Sequence, residues 1–137
     1  MSKLKIFLVD DEPIDIRHFK RLLEGENNVY EVVGDAENGE KALKKIELLK
    51  PDIVFADIQM PIMDGLELAE QIKVRHLPIK VILLTAYKDF SYAQRGINAG
   101  VYAYLVKHDA TKEKLQEMIK QVYNDIFLET EHIWKRI

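Results

Sequence analysis

Five short apolar runs, each followed by a stretch of helical periodicity, constrain this chain more than any other feature. The runs are Lys5-Ile6-Phe7-Leu8-Val9, Tyr30-Glu31-Val32-Val33-Gly34, Asp52-Ile53-Val54-Phe55-Ala56, Lys80-Val81-Ile82-Leu83-Leu84 and Tyr102-Ala103-Tyr104-Leu105-Val106. The first, third and fourth are nearly continuous in apolar and β-branched residues, as strands buried on both faces are. The second and fifth are more mixed, which suits positions nearer a sheet edge. A strand–helix alternation repeated five times predicts a parallel sheet with helices on both faces.

The helical stretches carry their own boundary signals. Pro13 stands just inside a helix start, after the acidic pair Asp11-Glu12, and Ile16, Phe19, Leu22 and Leu23 follow at helical spacing. Asn38 can cap a second helix bearing Ala42, Leu43, Ile46 and Leu49, with Pro51 beyond its end. A third is predicted over about Leu66 to Arg75. A fourth runs near Asp89 to Asn98, with Gly100 as its terminator. Thr111 can cap a fifth, with Leu115, Met118, Ile119, Val122 and Ile126 on its apolar face.

Length and composition fit one such domain. The 137 residues suffice for a single core, and the 47% hydrophobic content argues against disorder. There are no cysteines, so disulfides and thiolate metal sites are excluded. Net charge is −3, and no basic stripe stands out, so direct contact with nucleic acid is not expected of this chain. The first nine residues carry only a four-residue apolar run, too short for a signal-peptide core or a membrane span. A cytoplasmic location without membrane contact is the expectation.

Right-handed crossovers bring the C-terminal ends of all five strands to one edge, where ligands bind in such sheets. Asp10, Asp11 and Glu12 follow the first strand, Asp57 the third, Thr85 the fourth and Lys107 the fifth. Any one of these acidic residues alone reads as a helix cap. Together they form a set: clustered carboxylates resist ionising at once, and a hard cation such as Mg²⁺ relieves them. An ionised Asp57 is then a nucleophile for aspartyl-phosphate chemistry, with Thr85 and Lys107 offering a hydrogen bond and a charge to phosphoryl oxygens.

The residues at these positions resemble a known family. Phe7-Leu8-Val9-Asp10-Asp11-Glu12 is similar to the opening of bacterial response-regulator receiver domains. Asp57-Ile58-Gln59-Met60-Pro61-Ile62-Met63-Asp64-Gly65 is similar to their phosphoacceptor loop, Leu84-Thr85-Ala86 to their hydroxyl switch segment, and Tyr104-Leu105-Val106-Lys107 to their closing strand. The resemblance covers roughly residues 3 to 126. It implies a flavodoxin-like (βα)₅ fold with strand order 2-1-3-4-5 and Mg²⁺-dependent transfer of a phosphoryl group from a sensor histidine kinase to Asp57. It implies that Asp11, Asp57 and the Gln59 carbonyl bind the metal, with Asp10 acting through water. It implies that Thr85 and Tyr104 form the switch pair, that Lys107 contacts the phosphate, and that the surface of the fourth helix, fifth strand and fifth helix changes in response. It implies a signalling domain that catalyses its own phosphoryl transfer and dephosphorylation and is not otherwise an enzyme.

One departure stands out. The family usually places proline after the lysine, joined by a cis peptide, whereas here His108 follows Lys107. A cis bond before a non-proline residue costs about 2.5–4 kcal/mol, so a trans bond is expected. His108 reads as a surface substitution, and His18, His76 and His132 as surface residues. Tyr87 either flanks the acceptor or is a surface aromatic. The pair Pro61 and Gly65 shapes the acceptor loop, with Gly65 read as a tight turn.

Other functions fit less well. A flavodoxin-type cofactor binder needs a phosphate-cradling loop after the first strand, where Asp10-Asp11-Glu12 repels phosphate. No Gly-Lys-Ser/Thr loop exists for a nucleotide enzyme. An aspartate-based phosphatase would carry its nucleophile on the first strand. The remaining rival is a receiver-like module that no longer uses phosphate, and the Lys107-His108 departure is its support.

The segment from Ala86 to Ala93 is loosely similar to receivers that precede AraC-type DNA-binding domains. Residues 1–126 are therefore taken as the receiver. The helical pattern from Lys112 continues through Phe127, Leu128, Ile133, Trp134 and Ile137. Residues 127–137 are read as a helical extension that pairs with its twin in a homodimer or leads into a transcriptional output domain.

Overall fold

The computed structural model describes residues 3–25, 29–86 and 90–136, apart from the side chains of Phe90, Tyr92 and residues 129–136. The expectation about Tyr87 therefore lies outside the described residues, as do those about the side chains of His132, Ile133, Trp134 and Ile137.

Among the described residues, strands and α-helices alternate: β1 (Leu4–Val9), α1 (Pro13–Leu22), β2 (Tyr30–Ala36), α2 (Gly39–Leu49), β3 (Ile53–Asp57), α3 (Gly65–Val74), β4 (Lys80–Thr85), α4 (Phe90–Asn98), β5 (Ala103–Val106) and α5 (Lys112–Arg136). The strands form one parallel sheet in the order β2-β1-β3-β4-β5. The two mixed runs are the edge strands, as their composition indicated.

Successive residues of the central strands alternate between two cores. Ile6, Leu8, Ile53, Phe55, Ile82 and Leu84 face one side and pack with Phe19 and Leu23 at α1 and with Leu115, Ile119 and Val122 of α5. Phe7, Val9, Val54, Ala56, Val81 and Leu83 face the other and pack with Ala42 and Ile46 of α2 and Leu66, Ala69 and Ile72 of α3. The period-2 geometry of a strand thus turns a continuous apolar run into two buried faces.

Strand β2 extends two residues beyond the run read from the sequence, through Asp35 to Ala36. Those two residues have low strand preference. Pairing with β1 nonetheless continues after a register shift: Ile6 pairs with Val32, and Phe7 with Gly34. A side chain at Gly34 would meet Phe7 and Leu49 at 3.1 Å, so glycine here makes room for the core phenylalanine.

Helix boundaries follow the cap signals. The Asn38 side chain accepts from the Lys41 N–H at 2.9 Å. Asp64 and Glu67 form a reciprocal capping box on α3. Gly100, with φ of 78°, ends the α4 segment, and the Thr111 hydroxyl accepts from the Lys114 N–H at 3.1 Å. Helix α5 runs unbroken for 25 residues. Among its described side chains, Ile126 is the last packed against the core, and Phe127 and Leu128 are exposed.

Candidate functional site

Strands β1, β3, β4 and β5 deliver Asp10, Asp57, Thr85 and Lys107 to the same edge of the sheet. The register explains this: Val9 pairs with Ala56, Asp57 with Leu84, and Thr85 with Val106. Each polar residue thus directly follows the last paired apolar residue of its strand: Val9, Ala56, Leu84 or Val106. Asp10, Asp57 and Thr85 are all buried. One carboxylate oxygen from each of Asp10, Asp11 and Asp57 lies within 4.8 Å of the others, a set able to hold a metal ion. Three hard oxygen donors converging on a point suit a small divalent cation.

Lys107 reaches into this acidic group. Its ammonium donates to Asp10 Oδ2 at 2.8 Å, to Asp57 Oδ2 at 3.0 Å and to Asp15 Oδ2 at 2.8 Å. The remaining oxygens of the buried pair take backbone donors. The Glu12 N–H donates to Asp10 Oδ1 at 2.9 Å, and the Gln59 N–H to Asp57 Oδ1 at 3.1 Å. Among the described residues no peptide bond is cis, so the Lys107–His108 bond is trans. A single 3₁₀ turn, Lys107–Asp109, follows β5 directly, and the lysine reaches the acidic group from there. His108 points to solvent beside Asp109. His18 and His76 are exposed.

The electrostatics follow from burial. Desolvation raises the Asp10 carboxyl from its ordinary 3.8 to about 6, although the Lys107 hydrogen bond and charge oppose it. Desolvation also raises Asp57, again against Lys107. For Lys107, burial works against the charged form, but the hydrogen bonds to Asp10, Asp15 and Asp57 outweigh it, and its proton is held more tightly than usual. One cation thus serves several carboxylates, and the site retains a negative excess.

Two glycines shape the loop that follows Asp57. A Cβ at Gly65 would lie 2.4 Å from the Asp57 carbonyl oxygen. Gly65 has no left-handed φ, so close approach rather than turn conformation requires glycine there. This refines the tight-turn reading: the start of α3 abuts the backbone of the candidate acceptor. On the other side, the Gly39 N–H donates to the Met63 carbonyl at 2.9 Å, and a side chain at Gly39 would strike Met63 at 2.7 Å. Within the loop, Ile62 adopts φ of 70° while 72% exposed. That conformation is unfavourable for a β-branched residue.

Thr85 and Tyr104 share one face of the sheet, because Tyr104 pairs with Leu83 and Thr85 lies two residues beyond Leu83. Tyr104 is half-buried and packs on the core beneath α2 and α3. Gln59 is exposed next to Asp57. The residue that the sequence reading missed is Asp15. It lies in the first turn of α1, where an acidic residue reads as a helix-dipole partner, and only the meeting of α1 with β5 reveals its contact with Lys107.

Comparison with known proteins agrees with this geometry. The family model for the response regulator receiver domain matches residues 6–120. The transcriptional regulatory protein YdfI of Bacillus subtilis is 34% identical over 97% of this chain and 61% of its own length. The receiver domain of AraT, a response regulator from Geobacillus stearothermophilus, is 36% identical, with a TM-score of 0.81 over 95% of this chain and 99% of that one. A LuxR-family DNA-binding response regulator from Staphylococcus aureus is 34% identical, with a TM-score of 0.78 over 87% of this chain and 98% of that structure. The chain spans half to three-fifths of the length of curated relatives such as YdfI and DegU. No helix among the described residues is long and apolar enough to cross a membrane. The acidic pocket, the lysine reaching into it and the 2-1-3-4-5 sheet that assembles them are those of a signalling domain, and the chain belongs to the response regulator receiver domain family.

Proposed function

We propose that this domain accepts a phosphoryl group on Asp57 from the phosphohistidine of a sensor histidine kinase. The observation that carries the reading is the placement of Lys107 Nζ 3.0 Å from Asp57 Oδ2, inside a pocket that can also hold a divalent cation. A carboxylate oxygen of Asp57 attacks phosphorus, the nitrogen–phosphorus bond of the donor breaks, and an acyl phosphate forms. Asp11, Asp57 and the Gln59 carbonyl would hold Mg²⁺, with Asp10 acting through water. When bound, the cation would supply charge neutralisation for the phosphoryl oxygens. Lys107 and the Thr85 hydroxyl supply a charge and a hydrogen bond to the same oxygens. Lys107 reaches Asp57 without a following proline, which counts against the rival reading of a phosphate-independent module.

Phosphorylation then biases Thr85 and Tyr104, and with them the surface of α4, β5 and α5. The part of α5 beyond Ile126, to Arg136, leads toward a dimer partner or an output domain that controls transcription. Contact with DNA belongs to that output domain.

The test is intact-mass measurement after incubation with acetyl phosphate or phosphoramidate and Mg²⁺. The wild-type chain gains the mass of one phosphoryl group and Asp57→Asn gains none. Equal uptake by Asp57→Asn would assign the acceptor elsewhere.

A further inference from the structure

The acceptor chemistry leaves the third hydrogen bond of Lys107 without a purpose. Asp10 and Asp57 belong to the pocket at the strand ends, whereas Asp15 comes from α1 and has no part in the reading above. An ammonium carries three protons, and Asp10, Asp57 and Asp15 each take one. The Asp15 bond is as short as the Asp10 bond, at 2.8 Å. It also lies on the solvent side: the Asp15 side chain is 34% exposed, against 4% for Asp10 and 12% for Asp57.

Lysine is a flexible four-carbon stem with about 2 kcal/mol of rotamer entropy, so a defined ammonium position needs restraint. The 3₁₀ turn at Lys107–Asp109 fixes where the stem begins but not where it ends. Asp15 is suited to restrain the far end. It is mounted on a helix whose start is set by Pro13 and whose buried face is anchored by Phe19.

We infer that Asp15 is a positioning residue for Lys107, tethering its ammonium at the mouth of the acidic pocket beside Asp57. The inference rests on the reading of Asp57 as acceptor. When Asp57 becomes an acyl phosphate, its carboxylate ceases to be a full anion, and Lys107 exchanges that bond for one to a phosphoryl oxygen. Asp10 lies within the set that surrounds the cation. Asp15 alone among the three acceptors keeps its charge and surroundings through the reaction. It holds the ammonium in reach before and after transfer without touching the reacting atoms.

Two readouts on the full chain test this with Asp15→Ala, Asp15→Asn and Asp15→Glu. The first is an NMR spectrum of lysine side-chain ammonium groups, recorded without phosphodonor or divalent cation. Wild type should show a slowly exchanging Lys107 ammonium, lost in Asp15→Ala, weakened in Asp15→Asn and restored in Asp15→Glu. The second is phosphoryl uptake from acetyl phosphate at saturating Mg²⁺, in which the O–P bond breaks and acetate leaves. The maximal rate should fall about 5- to 10-fold in Asp15→Ala, the scale of one charge-assisted hydrogen bond at a partly exposed site. Donor concentration at half-maximal rate should not change, and Asp15→Glu should recover most of the rate. Wild-type ammonium exchange in Asp15→Ala, or uptake equal to or faster than wild type, would overturn the tether. If wild type itself takes up no phosphoryl group, the acceptor reading fails, and ammonium exchange alone decides whether Asp15 restrains Lys107.

Discussion

Replacing Asp10 with asparagine should stabilise the metal-free protein at neutral pH. Asp10 is buried, and its carboxyl is raised from 3.8 to about 6, chiefly by desolvation. At 1.36 kcal/mol per tenfold change in proton affinity, that gap corresponds to about 3 kcal/mol of penalty for ionised Asp10 in the folded state at pH 7. Asparagine keeps an oxygen for the Glu12 N–H but loses the charge-assisted bond to Lys107, so a net gain of about 1–3 kcal/mol is expected. The folded-state value lies above the unfolded one, so the folded protein binds more protons between about pH 4 and 6, and stability falls as pH rises through that window. The advantage of Asp10→Asn should therefore shrink to under about 1 kcal/mol by pH 4, where Asp10 of the folded wild type is protonated and as neutral as the asparagine that replaces it. Urea unfolding at pH 4, 5 and 7 in the presence of a chelator measures this. Adding Mg²⁺ should reverse the ranking. A ligand at 100 times its Kd stabilises by about 2.7 kcal/mol, and the variant has lost a carboxylate from the pocket. A variant no more stable than wild type at pH 7, or a gain that does not vary with pH, would refute the desolvation argument.

Three further outcomes follow from particular residues. Gly65→Ala forces a Cβ against the Asp57 carbonyl at 2.4 Å and should cost about 2–4 kcal/mol in chemical denaturation, with phosphoryl uptake reduced as the acceptor backbone shifts. Ile62→Gly removes a β-branched side chain from φ of 70° at a position with little buried area, and should be neutral or stabilising by up to about 1 kcal/mol in thermal unfolding. Truncation after Ile126 should leave monomer stability nearly unchanged, because Ile126 is the last described side chain of α5 packed on the core and Phe127 and Leu128 are exposed, but should weaken self-association in sedimentation of the phosphorylated chain. A truncated chain that dimerises as well as the full one would remove the tail from the interface.

Much of the fold is legible without coordinates because its signals are local. Apolar runs of strand length, Pro13 at a helix start, and Asn38 and Thr111 as caps act within a few residues of themselves. The same locality explains the shortfalls. Strand β2 runs on through Asp35 and Ala36 because β1 supplies hydrogen-bond partners there, and no local preference reveals that. Gly65 looks like a turn residue until α3 is seen against the Asp57 backbone.

The candidate site divides along the same line. The sequence by itself placed Asp10, Asp11, Asp57, Thr85 and Lys107 at strand ends, because right-handed parallel crossovers bring every such end to one edge. What the five side chains do to one another was decided by tertiary structure. A trans peptide followed by a 3₁₀ turn still delivers Lys107 to Asp57, because the reach of a four-carbon stem depends on where β5 ends relative to β3. Asp15 enters the site only because the first turn of α1 comes within hydrogen-bond reach of Lys107, just past β5 and 92 residues away in sequence. Pattern within one element carries no record of that distance, whereas the position of a charge depends on every element that packs around it.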